Sequence, residues 1–106
     1  MGSYRSRFDI IADILHVVKG NDGGAKKTQI MYGANLSYKV LMRYLAEVLD
    51  ACLLEFENNR RCYVLTAKGR EFLEHYREYS RRNKHVTRQL ENVNAKKKLL
   101  EKLCSV

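Results

Sequence analysis

AKKTQIMYGANLSYK, residues 25–39, is the stretch on which the fold turns. Ile30 and Met31 form an apolar pair inside a short helical pattern. Gly33-Ala34-Asn35 then breaks that pattern, because glycine and asparagine adopt a left-handed backbone at little cost. Leu36 restarts the apolar series and Ser37 is a good N-cap for a following helix. Leu36 and Leu41 stand at the spacing of a hydrophobic staple across that cap. Two helices joined by a tight turn are therefore expected. Lys26, Lys27, Thr28, Gln29, Ser37, Tyr38 and Lys39 are left over from the core pattern. They are either a solvated surface or a face turned to a polyanion.

Working outward, residues 5–19 predict a first helix. Phe8, Ile11, Ile14, Leu15 and Val18 recur at three- and four-residue spacing, and Asp9 and Asp13 suit the positive end of its dipole. The glycine-rich run 20–24 ends it. Residues 25–32 form a second helix and residues 38–51 a third. The third buries Val40, Leu41, Tyr44, Leu45, Val48 and Leu49 and shows Lys39, Met42, Arg43, Ala46 and Glu47 on the other side. Residues 53–57 and 61–65 read as two strands, joined by a turn whose Asn58 and Asn59 suit positive φ. Thr66 can cap a last helix. No proline interrupts the chain, so that helix is expected to run on for about 57 Å at 1.5 Å per residue.

A 3-4 apolar repeat follows this last helix: Tyr76, Tyr79, Asn83, Val86, Leu90, Val93, Lys97, Leu100 and Cys104. Such a seam is the signature of a two-stranded coiled coil, with Asn83 and Lys97 as the polar residues that fix register. The expectation is a domain over residues 1–75 and a dimerisation helix over residues 76–106, pairing two copies as a homodimer.

The 106 residues are 45% hydrophobic and carry a net charge of +8. That favours anionic partners, nucleic acid foremost. The excess lies mainly on residues 67–106, with eleven cations against five anions, while residues 26–52 carry +2. Cys52, Cys62 and Cys104 lack zinc-ligand spacing and read as reduced thiols, Cys52 and Cys62 as small core residues. No stretch nears the roughly 18 apolar residues of a membrane span. His16, His75 and His85 are scattered without acidic or thiol partners, so neither catalysis nor metal binding is expected. No cofactor and no small-molecule ligand is evident. A cytoplasmic, nucleoid-associated location fits these expectations.

The element order is that of a mainly α (α+β) winged helix-turn-helix. In that arrangement helix two crosses the DNA backbone and helix three enters the major groove. Lys26, Lys27, Thr28 and Gln29 would then meet phosphates. Ser37, Tyr38, Lys39, Met42 and Arg43 would face base edges, with Arg43 able to hold guanine bidentately and Met42 to touch a thymine methyl. Arg60 and Arg61 would stand at the wing tip.

The runs GAKKTQIMYGANLSYKVLMRYL (24–45), LLEF (53–56) and YVLTAKGREFLEHY (63–76) resemble the archaeal winged-helix chromatin-type proteins of the Sulfolobus ten-a type. The resemblance implies a homodimer joined by an antiparallel coiled coil of C-terminal helices. It also implies DNA binding of modest sequence specificity through Lys26, Lys27, Ser37, Tyr38, Lys39, Arg43, Arg60 and Arg61. The reading is thus a non-enzymatic, dimeric double-stranded-DNA-binding protein of the nucleoid that bridges duplexes. A sequence-specific transcription regulator and a protein–protein interaction module are the alternatives.

Overall fold

The computed structural model describes residues 5–22, 24–85 and 90–104, with the side chains of 82–85 and 90–95 outside that description. In chain order it contains α1 (Arg7–Gly20), α2 (Lys27–Gly33), α3 (Tyr38–Asp50), β1 (Leu54–Glu57), β2 (Cys62–Leu65), α4 (Ala67–His85) and α5 (Leu90–Leu103). Helix α1 starts at a reciprocal cap: Asp9 N–H donates to Ser6 Oγ at 3.2 Å, and Ser6 N–H donates to the Asp9 carboxylate at 2.9 Å. Its apolar side, from Phe8 through Val18, is the floor of the core.

The turn between α2 and α3 is a Schellman motif. Leu36 N–H donates to Met31 C=O and Asn35 N–H to Tyr32 C=O, which satisfies two of the last carbonyls of α2. Asn35, with φ 55°, holds the left-handed position, and Gly33 is the last helical residue. Gly33 is small for another reason: a Cβ there would come within 2.8 Å of the Val17 side chain, so the glycine lets α2 cross α1 closely. Helix α3 then starts on Ser37, whose hydroxyl accepts from Val40 N–H at 3.2 Å. It ends in a second Schellman motif, with Leu53 N–H on Val48 C=O, Cys52 N–H on Leu49 C=O, and Cys52 left-handed at φ 64°. Cys52 is exposed at this cap, where core burial was expected, while Cys62 is buried.

Strands β1 and β2 pair antiparallel, Leu54 opposite Leu65 and Glu57 opposite Cys62. At the tip the positive φ falls on Arg61 (51°), where the sequence pointed to Asn58 and Asn59. Ala25 bridges to Tyr63 through two backbone bonds of 2.8 and 2.9 Å, so the segment leading into α2 is tied to the hairpin. Thr66 caps α4 through Gly69 N–H at 2.9 Å, and its hydroxyl also donates to Leu53 C=O at 3.0 Å. Gly69 is buried there, where a Cβ would lie 2.3 Å from the Leu53 carbonyl oxygen.

The single long C-terminal helix is corrected by the structure. Helices α4 and α5 are separate and lie against each other. Lys96 pairs with Glu78 at 3.3 Å and sits 3.2 Å from His75 Nδ1, while Cys104, just past the end of α5, feels the charges of Arg7 and Lys68. Rising numbers on α5 meet falling numbers on α4, so the two run antiparallel within one chain. Leu100, Leu103 and Cys104 are buried in the same core as Phe8, Leu41 and Phe72. The physical reason is plain: an apolar stripe lowers its free energy against any apolar surface, and its own domain offers one. Of the expected seam, Tyr76 and Tyr79 are partly buried on the core, Leu100 and Cys104 are inside it, and Lys97 is exposed. The side chains of Asn83, Val86, Leu90 and Val93 lie outside the described residues.

Aromatic contacts fix α4 on α1. Phe8 meets Phe72 at 6.3 Å and Tyr79 at 6.5 Å, and Phe72 stacks on Tyr76 at 6.3 Å. The Tyr76 hydroxyl donates to the Asp9 carboxylate. Burial and that neighbouring carboxylate push the Tyr76 phenol well above its ordinary range. Burial also raises the Cys104 thiol to about 11, which favours its neutral form near neutral pH. Among the described residues no helix is long and apolar enough to cross a membrane, and no cluster of His, Cys, Asp and Glu could hold a metal ion.

Candidate nucleic-acid interface

Helix α3 has two distinct sides. Leu41, Tyr44, Leu45 and Val48 are buried. Tyr38, Lys39 and Arg43 are exposed, whereas Met42 is half-buried and so offers less to a ligand than the sequence suggested. The Arg43 guanidinium lies 5.3 Å over the Tyr44 ring, which restrains the side chain while leaving its forked N–H edge accessible. Glu47, the acidic residue on this side of α3, accepts from Arg7 Nε at 2.8 Å. That bond is also the main reason the Arg7 guanidinium holds its proton more tightly than usual. The pair neutralises a carboxylate that would repel an anionic ligand.

The start of α2 meets the start of α3 directly. Lys27 Nζ lies 5.9 Å from the centroid of the Tyr38 ring, which is 60% exposed. Lys26, Thr28 and Gln29 are exposed beside it. Gln29 is already engaged in the fold, since its Oε1 accepts from Lys26 N–H at 2.8 Å and so caps α2. Ser37 is likewise occupied as the cap of α3. Lys26, Lys27, Tyr38, Lys39 and Arg43 are thus the members of the predicted set whose polar or aromatic groups stand on two joined helix starts with no competing bond among the described residues, apart from the ring contacts given above.

Arg60 and Arg61 are exposed at the hairpin tip, and the hairpin is tied to the segment leading into α2 by the Ala25 bridge. Arg60 is ion-paired with Glu57, and this hydrogen bond holds the Glu57 carboxyl below its usual range. Any anionic ligand must compete with Glu57 for it.

Two features escaped the sequence. Arg5 grips the turn: its guanidinium donates to Ala34 C=O at 2.7 Å and Asn35 C=O at 2.9 Å, and is held by Asp13 at 3.0 Å. No local pattern marks a contact spanning 29 residues. Phe56 is 44% exposed beside Tyr63, with ring centroids 5.0 Å apart. Alternation puts Phe56 on the same strand face as buried Leu54, so a period-two reading assigns it to the core.

The winged helix-turn-helix family profile matches residues 4–84, which take in α1 to β2 and nearly all of α4. The chain belongs to the winged helix-turn-helix family. Two relatives come from the archaeon Methanocaldococcus jannaschii. The uncharacterized protein MJ0287 is 33% identical over 67 residues, 63% of this chain and 65% of the relative. The uncharacterized protein MJ0290 is 38% identical over 77 residues, 73% of this chain and 35% of the relative. The chain therefore spans less than two thirds of the length of either relative. Within the winged helix-turn-helix, α2 and α3 are the two helices of the motif and β1–β2 is the wing. A DNA-binding domain is what this family supplies.

Proposed function

We propose that the protein binds duplex DNA without catalysis, with α3 in the major groove, the start of α2 on the phosphate backbone and the wing at its flank. The observation that carries this is the joining of two exposed cationic helix starts through Lys27 and Tyr38, in the elements the family uses on DNA. Lys26, Lys27, Lys39 and Arg43 supply charge there, and Arg60 and Arg61 add to it at the wing. Arg43 is the main base reader, since a guanidinium fork matches guanine O6 and N7. With so few base-reading groups, affinity comes mostly from phosphate contacts and specificity is modest. Such binding suits nucleoid architecture better than recognition of a few operators.

Titration of duplex DNA at several salt concentrations tests the reading. With Arg43 on a base, the five remaining cations on phosphates imply a slope of log affinity on log salt of about −4.5. Lys39→Ala and Arg43→Ala should each weaken binding, by roughly tenfold for Arg43, and Lys98→Ala should do so far less. No binding at low salt refutes DNA binding altogether. Equal losses in all three variants move the DNA surface to the C-terminal helices. Genome-wide occupancy separates broad architectural coverage from a few regulatory sites.

The homodimer joined by C-terminal helices, which the resemblance implies, requires an exchange. Leu100, Leu103 and Cys104 would leave their own core and the partner copy's α5 would cover it. In that state two DNA-binding heads would bridge duplexes. Light scattering across a concentration series tests it, because exchange is driven by mass action.

A further inference from the structure

Helix α4 is covered by α1 beneath and α5 along one flank. Its other flank, together with the end of α1, borders an open cleft of about 480 Å³. Arg70, Arg77 and Arg81 project along this cleft from α4, two turns and then one turn apart, and Lys19 faces them from α1. None of these cations is ion-paired with a described residue. Glu74 is the one carboxylate among the described lining residues, so the cleft is strongly positive. Glu71 and Glu78 are engaged toward α5, through His75 and Lys96, which leaves Glu74 as the acid set among the cleft arginines.

The floor of the cleft is apolar. Leu73 is only 5% exposed, and Tyr76 is fixed by its bond to Asp9 so that its ring forms a rigid wall. A concave space of this size, apolar at its base and lined by four cations against one carboxylate, has the character of a small-molecule site. A phosphate backbone would satisfy the cations and leave the floor without a partner. An organic anion with an apolar body would meet both, its head taken bidentately by an arginine fork.

We propose that the α1–α4 cleft is a binding site for a small organic anion with an apolar body, for which naphthoate is the probe. The site is separate from the DNA-facing cluster and does not depend on DNA binding.

Amide-resolved NMR titration of the full chain with naphthoate tests this. Saturable shifts confined to residues 16–20 and 70–81 are expected. The double variant Arg77→Gln, Arg81→Gln should weaken binding at least tenfold, and both positions are exposed, so the fold persists. Arg77→Lys, which keeps the charge and loses the fork, should weaken it by a smaller factor. Inorganic phosphate, lacking the apolar body, should bind at least tenfold more weakly than naphthoate. Phosphate binding as tightly as naphthoate would reduce the cleft to a bare cation patch and overturn the proposal. Absence of saturable shifts overturns it too. So does a short duplex that shifts these residues when naphthoate does not, which would make the cleft a second DNA surface.

Discussion

Replacing Leu100 by alanine tests whether α5 belongs to its own domain. Leu100 is fully buried, in one core with Phe8, Leu41 and Phe72. The substitution deletes three carbon centres, worth about 2.4 kcal/mol at roughly 0.8 kcal/mol each. A residual cavity adds to this, because the surrounding helices collapse only in part, giving a loss of about 3–4 kcal/mol. For a domain of ordinary stability, about 5–15 kcal/mol, that is a large share. With a urea slope of about 1.5 kcal/mol per molar, the midpoint should fall by roughly 2 M. Lys97→Ala, three residues away and exposed, should change stability by no more than about 0.5 kcal/mol. Repeating the melts over about a hundredfold range of protein concentration separates packing within one chain from packing between two. Intrachain packing leaves the midpoint fixed, whereas an obligate dimer gains about 2.8 kcal/mol over that range. A Leu100→Ala loss below about 0.5 kcal/mol would refute the burial argument. A concentration-dependent midpoint would refute the intrachain arrangement.

Three other perturbations follow from the geometry. Cys52→Gly places the residue best suited to a left-handed cap at φ 64°, and should raise stability by about 1 kcal/mol and the thermal midpoint by about 4–8 °C under reducing conditions; an unchanged or lower midpoint contradicts it. At Asp9, burial alone would raise the carboxyl, but hydrogen bonds from Tyr76 and Ser6 with the charge of Arg5 outweigh it and leave the group below its ordinary value. Its ionised form therefore stabilises the fold above about pH 4, and that contribution is lost as pH falls through the lowered value. Asp9→Asn should be less stable near neutrality and converge with the parent in acid, as followed by urea melts across pH; parallel curves would count against it. Glu57→Gln frees Arg60 from its ion pair, and duplex affinity should rise by up to about fivefold, more at low salt than at high; a fall in affinity would mean that Glu57 orients Arg60 for binding.

Much of the local structure was legible in the chain. The periodicities of 3.6 and 2 placed α1, α3 and the hairpin, and Ser37 and Thr66 cap the helices the sequence assigned to them. These are short-range effects: a cap, a strand alternation or a Schellman turn is complete within about six residues, so local sequence is sufficient cause. The cations of the candidate interface were legible for the same reason, because their spacing on α2 and α3 follows from the helices themselves.

What lay beyond the sequence depends on contacts between distant segments. Gly33 reads as a turn residue, yet its smallness serves the crossing of α2 over Val17, and Asn35 makes the turn. Arg5 clamps the carbonyls of that turn from just ahead of α1. The seam from Tyr76 to Cys104 stated that an apolar stripe needed covering. It did not state which surface would cover it, because hydrophobic burial is non-directional and rewards a second copy or the chain's own core alike. Only the tertiary structure decided that α5 turns back, pairs Lys96 with Glu78, and puts Leu100, Leu103 and Cys104 among the residues of its own domain.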